Sequence, residues 1–200
     1  MTGASADASA IKLMSRHPDA VALDQHGLTA AVEAAFGDHA RSLLDAYRDH
    51  RPDATPRELL VAILSAAAFR IPLVRLAERK VTGGASPTFT YLVRWRSPVP
   101  EYAWLGSYHG IQTPMFFDTI DYVPLHQASP TARALVEPMS SSWISFARDG
   151  TPSHPTLPAW PPYSLKERAT MVFDDECRLE NDPDGAERPP WDDIARIGDF

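Results

Sequence analysis

The chain has 200 residues, enough for one sizeable core, and its 44% apolar and 22% charged content is that of an ordinary globular protein, which excludes a disordered tail or a collagen-like rod. A formal charge of −7 is spread along the chain with no Lys/Arg cluster, so nucleic acid is not an expected partner. The longest mainly apolar run, Leu59 to Phe69, is shorter than the roughly 20 residues of a membrane-spanning helix, so a membrane is not expected either.

Cys177 is the only cysteine, so no internal disulfide can form and a reducing compartment suits the chain. The N-terminus MTGASADASAIKL lacks the basic and long apolar regions of a secretory signal. A cytoplasmic location is the expectation. The chain has nineteen prolines, and the clusters in TPSHPTLPAWPPYS and ERPPW predict long irregular surface connections that wrap a larger body. With no internal repeat and no sharp shift of composition, residues 1–200 read as a single region.

In chain order, the first periodic segment is Thr29 to His50, where Phe36, Leu43 and Tyr47 share a helical face and Gly37 marks a break between two pieces. A clear start signal follows: Thr55 as N-cap, Pro56 at the first helical position and Glu58 at the third, a capping box leading into Leu59, Leu60, Ile63 and Leu64. Pro72 is expected to end or kink this helix, and LVRLAERK to add another turn or two before Gly83-Gly84 stops it. The period then changes. In TFTYLVRW, Phe89, Tyr91, Val93 and Trp95 alternate with Thr90, Leu92 and Arg94, the repeat of a strand with one face more apolar than the other.

After Pro98 and Pro100 close that strand, a glycine-flanked loop beginning near Glu101 carries His109. A last helix is predicted over Pro130 to Arg148, with Leu135, Met139, Trp143 and Phe146 on one side, a kink at Pro138 and Gly150 as its stop. ATMVFD and CRLEND predict a short hairpin around Asp174-Asp175.

Candidate chemistry is sparse. His17, His26, His39, His50 and His154 sit in polar surroundings and receive no role. No pair of residues has HExxH or CxxC spacing, so no metal is expected. Ser5, in GASAD, resembles a nucleophile elbow whose final glycine is replaced by Asp7. The elbow needs a strand directly before it, and only Met1 and Thr2 precede Gly3, so a turn closing a short strand is the better reading. No other serine has glycines at the required spacing.

Taken together, YLVRW, LGSYHG followed by MFF, SSWISFARDGTP, LPAWPPY, RATMVFD and NDP are a more specific signal than any one alone. This ordered set, from about Glu58 to Asp182, closely resembles the C-terminal part of the type-B carboxylesterases, the cholinesterase-like branch of the α/β-hydrolases. The resemblance implies an α/β fold: the C-terminal portion of an α/β-hydrolase, with helices packed on a few strands of an incomplete sheet. It also implies hydrolysis of a small-molecule carboxylic ester through an acyl-serine intermediate, with no cofactor. The family's histidine, the general base of a Ser-Glu-His triad, maps onto His109, with Gly110 and Gln112 as its supports.

Two departures stand out. The triad glutamate falls on Ala8, so the acid is missing, and Asp7 would substitute only if the loop shifted by one residue. Gln112 replaces a usual glutamate, which keeps hydrogen bonding and loses charge. Met115, Phe116 and Phe117 read chiefly as core and secondarily as walls of a site. The nucleophile and oxyanion hole would come from the N-terminal part of the family's chain, so these residues alone should be nearly inert. Exposed strand edges predict self-association or a complementing N-terminal hydrolase segment. The first rival reading is a degenerate relative that binds and does not catalyse, and the second is a small helical interaction module unrelated to hydrolases, which would have no sheet.

Overall fold

The computed structural model describes residues 1–16, 22–84, 86–126 and 129–194. His17 lies outside them. Four strands form one mixed sheet: β1 (Thr2–Ser5), β2 (Thr90–Val93), β3 (Ala169–Phe173) and β4 (Arg178–Asn181), in that spatial order. The first three run parallel, with Gly3 opposite Tyr91 and Tyr91 opposite Met171, and β4 returns antiparallel as the predicted hairpin. Parallel neighbours need long crossovers, and helices supply them.

Between β1 and β2 lie α1 (Ala10–Arg16), α2 (Gln25–Phe36), α3 (Ala40–His50), α4 (Pro56–Ser65) and α5 (Ile71–Thr82). The predicted break at Gly37 separates α2 from α3, where the glycine takes a positive φ. The Thr55 capping box forms, with Thr55 Oγ1 accepting from the Glu58 amide and the Glu58 carboxylate accepting from the Thr55 amide. Pro72 neither ends nor breaks the helix. Instead α4 and α5 join through a π-helical turn, Ala66–Arg70, in which the Ile71 N–H reaches five residues back to the Ala66 carbonyl. The widened turn absorbs the proline, which has no N–H to donate.

That continuity corrects the estimate of apolar length. The joined helix, Pro56–Thr82, has 27 residues and is long and apolar enough to cross a membrane by length and composition, yet half of its most apolar window is buried inside the fold. Leu59, Leu60 and Ile63 pack with Leu28, Val32, Leu43, Tyr47 and Trp191 in a helical core.

Between β2 and β3 come the short α6 (Thr113–Phe116) and the long α7 (Pro130–Asp149), which ends at Gly150 in the left-handed region. α7 continues through the buried Pro138. A second core forms where Phe89, Val93 and Trp95 of the β2 segment, with Met171 and Phe173 of β3, meet Leu135 and Met139 of α7. These are the odd-numbered positions predicted to be the apolar face of β2. The even face is buried as well, because a central strand of a parallel sheet is covered on both sides. Thr90 there donates to the Ala169 carbonyl at 2.8 Å, and Leu92 is fully enclosed.

Gly3 is a point of close approach between β1 and β2. A Cβ there would lie 2.3 Å from the Tyr91 carbonyl oxygen and 2.4 Å from its ring, so the tyrosine covers the glycine in the opposing register. Gly3→Ala should therefore separate β1 from β2 and lower stability by about 1–3 kcal/mol in chemical denaturation.

Candidate active site

Two chain segments meet at the carboxyl ends of β1 and β2. The first is the turn 6–9 between β1 and α1. The second is the long connection after β2, which passes through a 3₁₀ helix, Pro100–Leu105, and carries His109 in a turn before α6. Ligand crevices in open α/β sheets form at such carboxyl ends.

The turn and the loop are tied together by three bonds. Asp7 accepts from the Ser107 amide at 2.8 Å through Oδ2, and the Asp7 amide donates to the Ser107 carbonyl at 2.9 Å. Arg96 reaches the same carboxylate oxygen at 3.3 Å. Farther along, Ser5 Oγ donates to Gln112 Oε1 at 2.8 Å. Ser5 is thus the last residue of a strand with its hydroxyl committed, and its φ is not positive, so it has none of the strained turn that a nucleophile elbow requires.

The arrangement places each predicted site residue. His109 is exposed, and its ring stacks on Phe69 with centroids 5.1 Å apart and planes 26° from parallel. Phe69 comes from the π-helical turn, a contact that no sequence motif announced. Among the described residues no carboxylate or hydroxyl hydrogen bonds the His109 ring. Asp7 is held by Ser107 and Arg96, and Ala8, where the resemblance is expected to put the acid, is buried with no group to offer. Gly110 has a φ of +87°, which L side chains rarely adopt. Gln112 supports the loop through Ser5, not the imidazole. Of the apolar run, Met115 is enclosed, Phe116 stacks on Trp143 at 3.9 Å, and Phe117 stands exposed. The run therefore divides between core and surface.

Sequence reasoning missed His126. It is fully buried, stacked on Trp95 at 5.2 Å, and its Nε2 lies 2.7 Å from the Ile111 carbonyl. A carbonyl accepts only, so Nε2 carries the proton and donates, while Nδ1 is left bare, with no partner among the described residues. Burial holds this imidazole below the usual histidine range, and the bond to Ile111 opposes that shift. The only sequence signal was its flanking by Val123, Pro124 and Leu125.

Burial, with help from Asp174, pushes the Cys177 thiol up to about 11. The lone cysteine is not an activated nucleophile. Beyond β2 and β3 opens a polar cleft of about 440 Å³ bordered by Arg94, Arg96, Asp174, Asp175 and His50. At its edge His50, Asp184 and Glu187 lie within 4.8 Å of one another, a cluster that motif spacing did not reveal. Arg51 grips Glu187 at 2.5 Å and Arg94 grips Asp184 at 2.7 Å, so these carboxylates are neutralised by arginines in place. The donor set suits an ion-pair network better than a metal.

The lowered pKa of His126 makes a pH prediction. Below about 6.5 the unfolded chain takes up a proton at this residue before the folded chain does, so this contribution to stability falls as pH drops through that value and levels off once both states are protonated. His126→Phe should flatten the loss between about pH 7 and pH 5 when midpoints of urea unfolding are compared with those of the parent.

The chain matches known proteins both in sequence and in fold. Sequence relatives include phenmedipham hydrolase of Pseudarthrobacter oxydans, 29% identical over 166 residues, covering 80% of this chain and 32% of that protein. The para-nitrobenzyl esterase of Bacillus subtilis (strain 168) is 27% identical over 174 residues, covering 86% and 34%. The chain thus spans about a third of the length of the curated relatives it matches. Among solved structures, the Geobacillus stearothermophilus carboxylesterase EST55 superposes with a TM-score of 0.79 at 24% identity, over 94% of this chain and 39% of that one. A thermophilic PNB esterase does so with a TM-score of 0.64 at 25% identity, over 84% and 33%. These neighbours are α/β-hydrolase carboxylesterases, and the four-stranded mixed sheet with its helices is the matching portion of that fold. Since the pattern of the carboxylesterase family is matched from residue 6 to residue 187, nearly the whole length, the chain belongs to the carboxylesterase family.

Proposed function

We propose that this chain is the histidine-bearing part of a carboxylic ester hydrolase that works through an acyl-serine intermediate, with His109 as the general base. The observation that carries this reading is the pose of His109. Its exposed imidazole stands on a loop fastened to the end of β1 by Asp7 and Ser5, with no hydrogen-bond partner among the described residues, and is backed by Phe69. An imidazole so placed can take the proton of a hydroxyl attacking an ester carbonyl and return it to the departing alcohol. The face of Phe69 favours the cationic ring formed between those steps.

The serine is to come from outside these 200 residues, on a hydrolase segment that packs beside the free edge of β1. Alone, the chain is nearly inert, since removing members of a triad costs several orders of magnitude in rate. The substrate is a small carboxylic ester, in keeping with the activities named for the relatives. The single half-buried thiol suits a reducing, cytoplasmic setting. A second reading, a binding protein that has lost catalysis, is favoured by the buried Ala8 where the family places its acid.

Turnover of para-nitrophenyl butyrate separates the two. The isolated chain should stay close to background, and mixing it with a hydrolase segment that carries a G-x-S-x-G serine should raise turnover. His109→Ala should then lower the rate about 10²- to 10⁴-fold. Equal rates for the parent and His109→Ala in the mixture would leave only the binding reading.

A further inference from the structure

We infer that His126 is a positioning residue for His109, holding the catalytic loop by its backbone while Phe69 holds the ring. This rests on the proposed role of His109 and adds the element that keeps it in place.

A rigid route can be followed from the sheet to the loop. Trp95 continues β2, and its amide and that of Arg94 both donate to the Phe173 carbonyl, at 3.1 and 2.8 Å, which fixes the indole against β3. The indole N–H is bound by Thr131 Oγ1 at 2.9 Å. His126 lies on this indole with ring planes 21° apart. Its own segment is closed into a turn, the His126 amide donating to the Val123 carbonyl at 2.9 Å, and is tied to the chain after β2, where Ser97 Oγ donates to the Leu125 carbonyl at 2.6 Å. From that base Nε2 reaches the Ile111 carbonyl at 2.7 Å, two residues beyond His109.

The remaining bonds of the loop are local or come from β1, from the end of β2, where Ser107 Oγ donates to the Val93 carbonyl at 2.8 Å, and from α4, where Arg57 reaches the Trp104 carbonyl at 3.4 Å. The Ile111 amide donates to Tyr108 and the Thr113 amide to Gly110, both within the turn. Asp7 and Ser5 hold the loop at residues 107 and 112. His126 therefore supplies the anchor from the α7 side, between those two fastenings. A purely apolar side chain would fill the same space without leaving a buried Nδ1 unpaired, an arrangement that costs stability. The histidine gains over such a residue only through its bond to the loop.

The test uses the chain itself with three substitutions. In His126→Phe the ring still stacks on Trp95 but cannot donate; in His126→Gln an amide N–H can take the place of Nε2–H. Amide hydrogen exchange is followed at residues 109–113, together with the His109 ring protons by NMR, whose shifts carry the ring current of Phe69. His109→Ala assigns those ring signals.

We expect His126→Phe to speed exchange across the turn by about five- to tenfold and to move the His109 ring signals toward their positions in an unstructured peptide, with His126→Gln restoring both. Parent-like exchange and ring signals in folded His126→Phe would overturn the proposal, as would a folded His126→Gln that fails to restore them. If His126→Phe does not fold, the Gln variant alone decides, parent-like signals supporting the anchor and displaced ones rejecting it. None of these readouts depends on turnover, so loss of the base role in the esterase assay would leave the anchor standing, and loss of the anchor would leave the base role to that assay.

Discussion

The buried carboxylate of Asp7 accepts a backbone amide from Ser107, exactly one hundred positions further along the chain, and the geometry of the candidate site depends on that bond. It joins the turn after β1 to the loop after β2 at the point where both strands end. Without a partner, a carboxylate so little exposed would be costly to bury; here it receives an amide and Arg96. The same commitment explains why Asp7 does not orient His109. Its charge is spent on holding the loop, and the neighbouring position, Ala8, carries no acid.

Around this tie, the parts of the site come from three kinds of structure. The parallel pairing of β1 with β2 aligns the two strand ends, and the close fit of Tyr91 over Gly3 sets how near they lie. The π-helical turn before Pro72 brings Phe69 against the imidazole. The segment before α7 brings His126 beneath the loop. A positive φ at Gly110 then lets the chain turn away directly after His109.

The polar cleft beside the site has a different character. Several of its charged groups pair with one another or with neighbouring carboxylates, as Arg94 does with Glu180 and Asp184 and Arg51 does with Glu187. Such a network braces the 182–188 segment against α3 and β2. It accounts for His50, Asp184 and Glu187 standing together without calling on a metal.

By itself, the sequence determined the local elements and the family. The Thr55 capping box, the two-residue repeat of β2, the Gly150 stop and the hairpin after Asp174 are written in neighbouring residues, and short-range bonding and periodicity decide them. The ordered motifs from Glu58 to Asp182 likewise identified the family and singled out His109. Tertiary structure alone decided the rest. That the even face of β2 is buried, that Gln112 serves Ser5 and that His126 meets Ile111 are contacts between residues distant in sequence or facts of packing on both sides of a sheet, and the π turn that absorbs Pro72 sits in a helix held by the same packing. Such contacts follow from how the elements are stacked, and no periodicity or spacing along a single chain encodes them.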